Sequence, residues 1–177
     1  MPAATLLLPP LEFSSMTNPL PPRRSAAEQR KLDAALAELF EQQITFNQVL
    51  GIKVLRLGPS GPQLRFEMRP PLVGHYQYGR LHGGVISATL DAVAGLAIMV
   101  ALGEKHGEES SDQIMHRFTR LATIDLRVDF LRPGTGGHFI GSAEVLRLGG
   151  RVGTAQMQLV DDSDALIATG AAAYMLS

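Results

Sequence analysis

The stretch from Arg80 to Gly103 constrains this chain most. Leu81-His82-Gly83-Gly84 leads into a long apolar run, and Asp91 is the one formally charged residue between Arg80 and Glu104. A helix that is apolar on all sides must be buried, in a protein core or in a bilayer. A carboxylate in its middle is costly unless it has a partner or a task. Two glycines open the run and leave the backbone bare at a helix start. The pattern predicts a central helix that carries the functional site, with the rest of the chain wrapped around it. By length alone Val85 to Leu102 also qualifies as a membrane span, and the central Asp91 argues against it.

The flanking chain supplies the wrapping. From Ser25 a capping box with Glu28 opens a helix, with apolar residues at Leu32, Leu36, Leu39, Phe40 and Ile44, and Gly51 stops it. Ile52 to Leu57 and Gln63 to Arg69 read as a hairpin joined by Gly58-Pro59-Ser60-Gly61. Leu72 to Gly79 is a loop into the central helix, and residues 104–120 read as a polar surface excursion. Thr123 to Arg132 alternates, with Ile124, Leu126, Val128 and Phe130 against Asp125, Arg127 and Asp129. His138 to Leu148 and Arg151 to Val160 flank a Gly149-Gly150 turn, and Leu166 to Met175 closes the sheet. The order α, β-β, α, β-β-β-β with tight turns means antiparallel pairing and an α+β domain.

Composition removes several function classes. A chain of 177 residues is most simply one domain, read here as 26–177, preceded by a Pro-rich arm over 1–25. Leu6-Leu7-Leu8 is too short for a secretion signal and no basic residue precedes it, while Met16 offers a second start. The net charge of −1 gives no electrostatic case for a nucleic-acid partner. With no cysteine, disulfides, thiolate metal sites and cysteine nucleophiles drop out, in keeping with a cytoplasmic protein. His75, His82, His106, His116 and His138 form no paired-ligand spacing, so no metal site is expected.

The chemistry concentrates at the two ends of half a helix. Unpaired N–H groups and the helix dipole favour negative charge at Gly83 and Gly84, the arrangement an oxyanion hole needs. His82 is either a general base or a cap for the helix. Asp91 lies eight residues beyond Gly83, about 12 Å at 1.5 Å per residue, so it cannot act on a carbonyl held there. Either the two features are unrelated, with Asp91 bonded to a neighbour such as Ser87, or Asp91 serves the helix start of a second copy across a two-fold axis.

Leu81-His82-Gly83-Gly84, Asp91 nine residues after the His, and Asp125-Leu126-Arg127-Val128-Asp129-Phe130-Leu131-Arg132-Pro133 together resemble the hotdog-fold acyl-CoA thioesterases, in particular the branch of the phenylacetate-pathway enzymes. The resemblance covers about residues 45–176. It implies a long helix wrapped by a curved antiparallel sheet, dimers joined edge to edge and often paired into tetramers, and hydrolysis of an acyl-CoA thioester without metal or redox cofactor. By position Gly83 matches the glycine whose N–H polarises the carbonyl, Asp91 the acid from the opposite protomer that activates water or attacks directly, and Thr123 a hydroxyl that orients the water. Relatives usually carry an Asn shortly before the His-Gly-Gly. Here His75 or Tyr76 falls at that place, and His75 or Gln77 offers the same hydrogen bond. Arg80, Arg132, Arg147 and Arg151 are candidates for the CoA phosphates. Two rivals stand: a hydratase or dehydratase pairing His75 with Asp91, and a non-catalytic acyl-CoA-binding module.

Overall fold

The computed structural model describes residues 23–58 and 60–176. Most of the expected arm, residues 1–22, lies outside them. Arg24 is docked: its guanidinium donates to the carbonyls of Gly103, His106 (3.4 Å) and Glu109 (3.3 Å) near the end of the central helix. A cation suits that end, where carbonyls are unpaired and the dipole is negative.

The N-terminal helix is not one piece. α1 spans Ala26–Glu38, and Ser25 Oγ accepts the Glu28 N–H at 3.2 Å. Glu28 does not complete a capping box; its carboxylate accepts the Ser111 N–H at 3.0 Å and ties α1 to α4, which spans Ser111–Phe118. A π-turn over Leu39–Gln43 follows, then α2 over Thr45–Leu50. The wider turn displaces the ladder, and the buried Asn47 amide donates to the Phe40 carbonyl at 3.0 Å. Gly51 ends α2 at φ 74°, as expected of a left-handed stop.

β1 (Lys53–Arg56) and β2 (Gln63–Glu67) form the predicted hairpin. The segment read as a plain loop contains a small hairpin, β3 (Val73–His75) with β4 (Arg80–Leu81). α3 spans Gly83–Lys105. The polar excursion after it holds α4, whose capping box of Ser110 and Gln113 is complete. β5 (Ala122–Phe130), β6 (His138–Leu148), β7 (Val152–Asp161) and β8 (Leu166–Met175) complete an antiparallel sheet in the order β1-β2-β6-β7-β8-β5.

α3 packs on β2, β5, β6, β7 and β8, the wrapped arrangement of the hotdog fold. Leu90, Val93 and Ile98 are buried against the sheet, Leu96 and Met99 are buried as well, and Phe66 stacks on its cross-strand partner Phe139 at 5.2 Å. Close approach needs a bare strand backbone: a Cβ on Gly153 would stand 2.7 Å from Ile98. α3 is long and apolar enough to cross a bilayer, but 61% of its most apolar window is buried inside the protein.

The two sheet edges differ. At β1, the Glu41 carboxylate from the π-turn accepts the outward Val54 N–H at 2.8 Å and pairs with Lys53 at 3.0 Å. At the other edge, nothing among the described residues pairs the outer side of β5, and Ile124 and Phe130 are more than half exposed. Of the four apolar residues in the alternation of β5, only Leu126 and Val128 are thus partly buried.

Candidate active site

Asp91 sits half-buried at the middle of α3 and is not held by its own helix. Ser87, one turn back, donates instead to the Gly83 carbonyl at 3.0 Å. Two hydroxyls from the sheet hold the carboxylate. Thr123 Oγ1 donates to Asp91 Oδ1 at 3.0 Å, and the Tyr174 hydroxyl lies 2.8 Å from the same oxygen and 2.9 Å from the Asp91 carbonyl oxygen. Asp91 Oδ2 has no hydrogen-bond partner among the described residues.

The register explains this convergence. Thr123 stands opposite Tyr174 on the neighbouring strand, and directly opposed residues share a face. Counting by twos from Leu126 would point Ile124 at the helix and Thr123 away. A bulge between Thr123 and Asp125 takes up Ile124 as an extra residue, reverses the parity and aims Thr123 at Asp91. Tyr174 is 2% exposed. Burial first, then the adjacent Asp91 charge and the hydrogen bond to it, push its phenol far above the ordinary range. Tyr174 is therefore a neutral, permanent donor. The sequence reading missed it, although a polar tip in phase with Ala172 and Gly170 on the core face of β8 was a usable signal.

Asp91, Thr123 and Tyr174 lie in a cleft of about 240 Å³ whose other walls are apolar apart from Asn47, whose amide is bonded to the Phe40 carbonyl. Ala88, Ala92 and Gly95 of α3 form one side. Phe40, Ile44 and Phe46 from the broken N-terminal helix, with Phe118 and Leu121, form the other. A larger cleft of about 500 Å³ lies at the far end of α3, lined by polar groups such as Lys105, His116 and Arg120. There Glu109, Arg117 and His106 pair among themselves, and the Arg117 hydrogen bond holds the Glu109 carboxyl below its usual range. His106, Glu108 and Glu109 bring possible ligand atoms within 4.8 Å of one another, but the Glu109 oxygens are already on Arg117.

At the start of α3, His82 is the helix cap: its Nδ1 accepts the Gly84 N–H at 2.9 Å. The same nitrogen cannot cap and serve as a base, and Gly84 cannot offer that N–H to a ligand. Gly83 is left as the open donor, with no acceptor for its N–H among the described residues. The Phe130 ring covers it; a Cβ on Gly83 would lie 3.4 Å from that ring. Within one chain the two halves of the chemistry stay apart, by about 12 Å along the helix.

The remaining candidates divide between the two ends of α3. His75, Tyr76, Gln77 and Arg80 are exposed on or beside the β3–β4 hairpin, next to the helix start. His75 packs on Tyr78 at 4.8 Å and Arg80 lies 4.6 Å over the Tyr78 ring. None of the four lines the Asp91 cleft. Arg132 belongs to the same end: it donates to the Leu166 carbonyl at 2.9 Å, and Leu81 N–H bonds the nearby Gly134 carbonyl at 2.9 Å. Arg147 and Arg151 flank the β6–β7 turn, which Lys105 ties to the opposite end of α3 through the Gly149 carbonyl. That end is about 33 Å from Gly83, so the four arginines are not one cluster.

The thioesterase superfamily's sequence profile matches residues 78–168. The chain is 38% identical over 141 residues to the medium/long-chain acyl-CoA thioesterase YigI of Salmonella typhimurium, covering 80% of this chain and 91% of that one. A crystal structure of a Shewanella oneidensis protein related to the thioesterase superfamily superposes with a TM-score of 0.81 at 34% identity, covering 87% of this chain and all of the other. A mutant form of the phenylacetic acid degradation protein PaaI from Thermus thermophilus shares the fold, with a TM-score of 0.57 at 22% identity over 75% of this chain and 99% of that one.

Proposed function

We propose, for a chain that belongs to the thioesterase superfamily, hydrolysis of acyl-CoA thioesters at a site that two copies build together. One observation carries the reading: β5 touches its own Asp91 through Thr123 and its own Gly83 through Phe130. Pairing the open β5 edges antiparallel across a two-fold axis sets the Thr123 end of one copy against the Phe130 end of the other. Asp91 of one protomer then faces the helix start of its partner, and the dimer has two equivalent sites.

In each site the Gly83 N–H and the dipole of α3 polarise the thioester carbonyl. Asp91 Oδ2 takes a proton from water while Oδ1 stays bonded to Thr123 and Tyr174. The water oxygen adds to the carbonyl carbon, the C–S bond breaks, and the proton passes from Asp91 to the departing thiolate. The products are the free acid and CoA, and no redox or metal chemistry enters. The Thr123 oxygen, its proton given to Asp91, keeps lone pairs to orient the water. Arg80 and Arg132, with the His75–Gln77 hairpin, stand at the helix-start end and are the groups we assign to CoA. Medium and long acyl chains are the expected substrates, by likeness to YigI. The hydratase reading would pair His75, at the same helix-start end as Gly83, with an Asp91 across the interface, and is separated by assay.

The test is free-thiol release across short, medium, long and aromatic acyl-CoAs, with hydration of a crotonyl thioester as the rival assay. Asp91→Asn is expected to lower turnover by about 100- to 10,000-fold. Parent-like hydrolysis by Asp91→Asn would overturn the assignment.

A further inference from the structure

Resting on that thioesterase reading, we infer that the acyl chain runs into the cleft between α3 and the broken N-terminal helix, and that the bare backbone at Gly95 sets how long a chain fits. The cleft begins at Asp91, where the carbonyl reacts, and its only polar groups near that point are Asp91, Thr123 and Tyr174. Beyond them the walls are apolar but for Asn47, whose amide is spent on the Phe40 carbonyl, which suits a hydrocarbon better than a phosphopantetheine arm with its amides. Gly95 stands one helical turn past Asp91, about 6 Å along the axis, so the first methylenes beyond the carbonyl pass it.

The space at Gly95 is open in a specific direction. A Cβ there would lie 3.9 Å from the Tyr174 ring and 4.0 Å from a Leu121 methyl, which is ordinary contact. Alanine therefore fits without strain, and any longer side chain must enter the cleft. The opposite wall is built by the π-turn segment. Phe40 and Ile44 flank that turn, Asn47 fixes the Phe40 carbonyl, and Phe46 remains 57% exposed at the mouth. An aromatic ring left that open at the rim of an apolar cleft is covered once a chain lies beneath it.

Each buried methylene contributes about 0.8 kcal/mol, so kcat/KM is expected to rise about fourfold per added methylene until the cleft is full. Gly95→Leu removes room for two or three methylenes, which lowers the ratio of long-chain to short-chain kcat/KM by roughly 15- to 60-fold while short-chain turnover persists. Phe46→Ala, at the exposed mouth of the cleft, is expected to lower long-chain kcat/KM through KM and to lower short-chain kcat/KM less. Ala92→Leu, half-buried on the same wall, repeats the Gly95 test if Gly95→Leu melts early in a thermal scan.

The experiment measures kcat and KM for straight-chain acyl-CoAs from four to sixteen carbons with these three variants. In parallel, binding of the same CoA series to Asp91→Asn, alone and combined with each wall variant, is followed by calorimetry. A shortened optimum in both readouts supports the inference. An unchanged chain-length profile in all three wall variants overturns it. If the parent hydrolyses none of the series while the binding profile still shortens, the thioesterase reading fails and the chain-length assignment stands.

Discussion

A mixing experiment tests the shared site directly. Gly83→Val blocks the open N–H donor; the neighbouring Phe130 ring is more than half exposed and can move aside, so the fold survives. Asp91→Asn removes the base. Each homodimer then lacks one half of both sites and is expected to lose at least about 100-fold in turnover. When the two variants are unfolded together and refolded at equal concentration, half the dimers are mixed. In a mixed dimer one site collects both lesions and the other collects none. Recovered activity should therefore approach about one quarter of the parent's value. The geometry demands this, because about 12 Å separates Asp91 from its own Gly83 and reacting groups must come to about 3 Å. The readout is free-thiol release, with subunit exchange confirmed by native mass spectrometry of differently tagged chains. Mixed dimers that stay as inactive as either variant, on a substrate the unmodified protein hydrolyses, would refute the two-copy site.

Other consequences are simpler to measure. Tyr174→Phe removes a neutral donor to the Asp91 carboxylate and should cost about 10- to 100-fold in kcat/KM, with the dimer intact by sedimentation. The raised Tyr174 phenol favours the folded state fully below the unfolded tyrosine value near pH 10. That contribution fades as pH rises above it, so Tyr174→Phe should flatten the alkaline limb of a denaturant-midpoint profile. Asp161 accepts from the Ser163 hydroxyl, the Ser163 N–H and the Ala165 N–H, led by the hydroxyl, and its carboxyl is held below the usual range. Its contribution is present above the unfolded carboxylate value and lost as pH falls below it, so Asp161→Asn should be less acid-sensitive than the parent. Leu90→Ala, at a fully buried position of α3, should destabilise by about 2–5 kcal/mol in urea unfolding.

The fold was legible where burial is one-sided and repeats with a fixed period. α3, the β1–β2 hairpin and the four closing strands follow from hydrophobic spacing and turn glycines. α4 was not, because the apolar Ile114, Met115 and Phe118 are diluted in a polar segment and the capping signal is short. The break after Glu38 was hidden for a different reason: a π-turn preserves helical spacing well enough that Leu39, Phe40 and Ile44 still scan as one face. In the site, Asp91 stood out by its charge. The bulge that turns Thr123 inward carries no sequence mark, and Tyr174, though in phase with the core face of β8, is tied to the site by the register that sets it opposite Thr123. His82 and Gly84 show the reverse limit. Each fits a catalytic motif as a letter, and in the folded chain the two are bonded to each other at the helix cap.

The sealed edge at β1 has a bearing on how this protein behaves at high concentration. A sheet with two open edges can add copies on both sides, and a heterologous chain of such additions has no natural end. Here Glu41 occupies the outward N–H of Val54 and holds Lys53 beside it, so that among the described residues β5 is the barer of the two edges of the six-stranded sheet. The carboxylate on the π-turn is thus a safeguard against fibre growth, and a Glu41→Ala chain is the place to look for turbidity and cross-β diffraction.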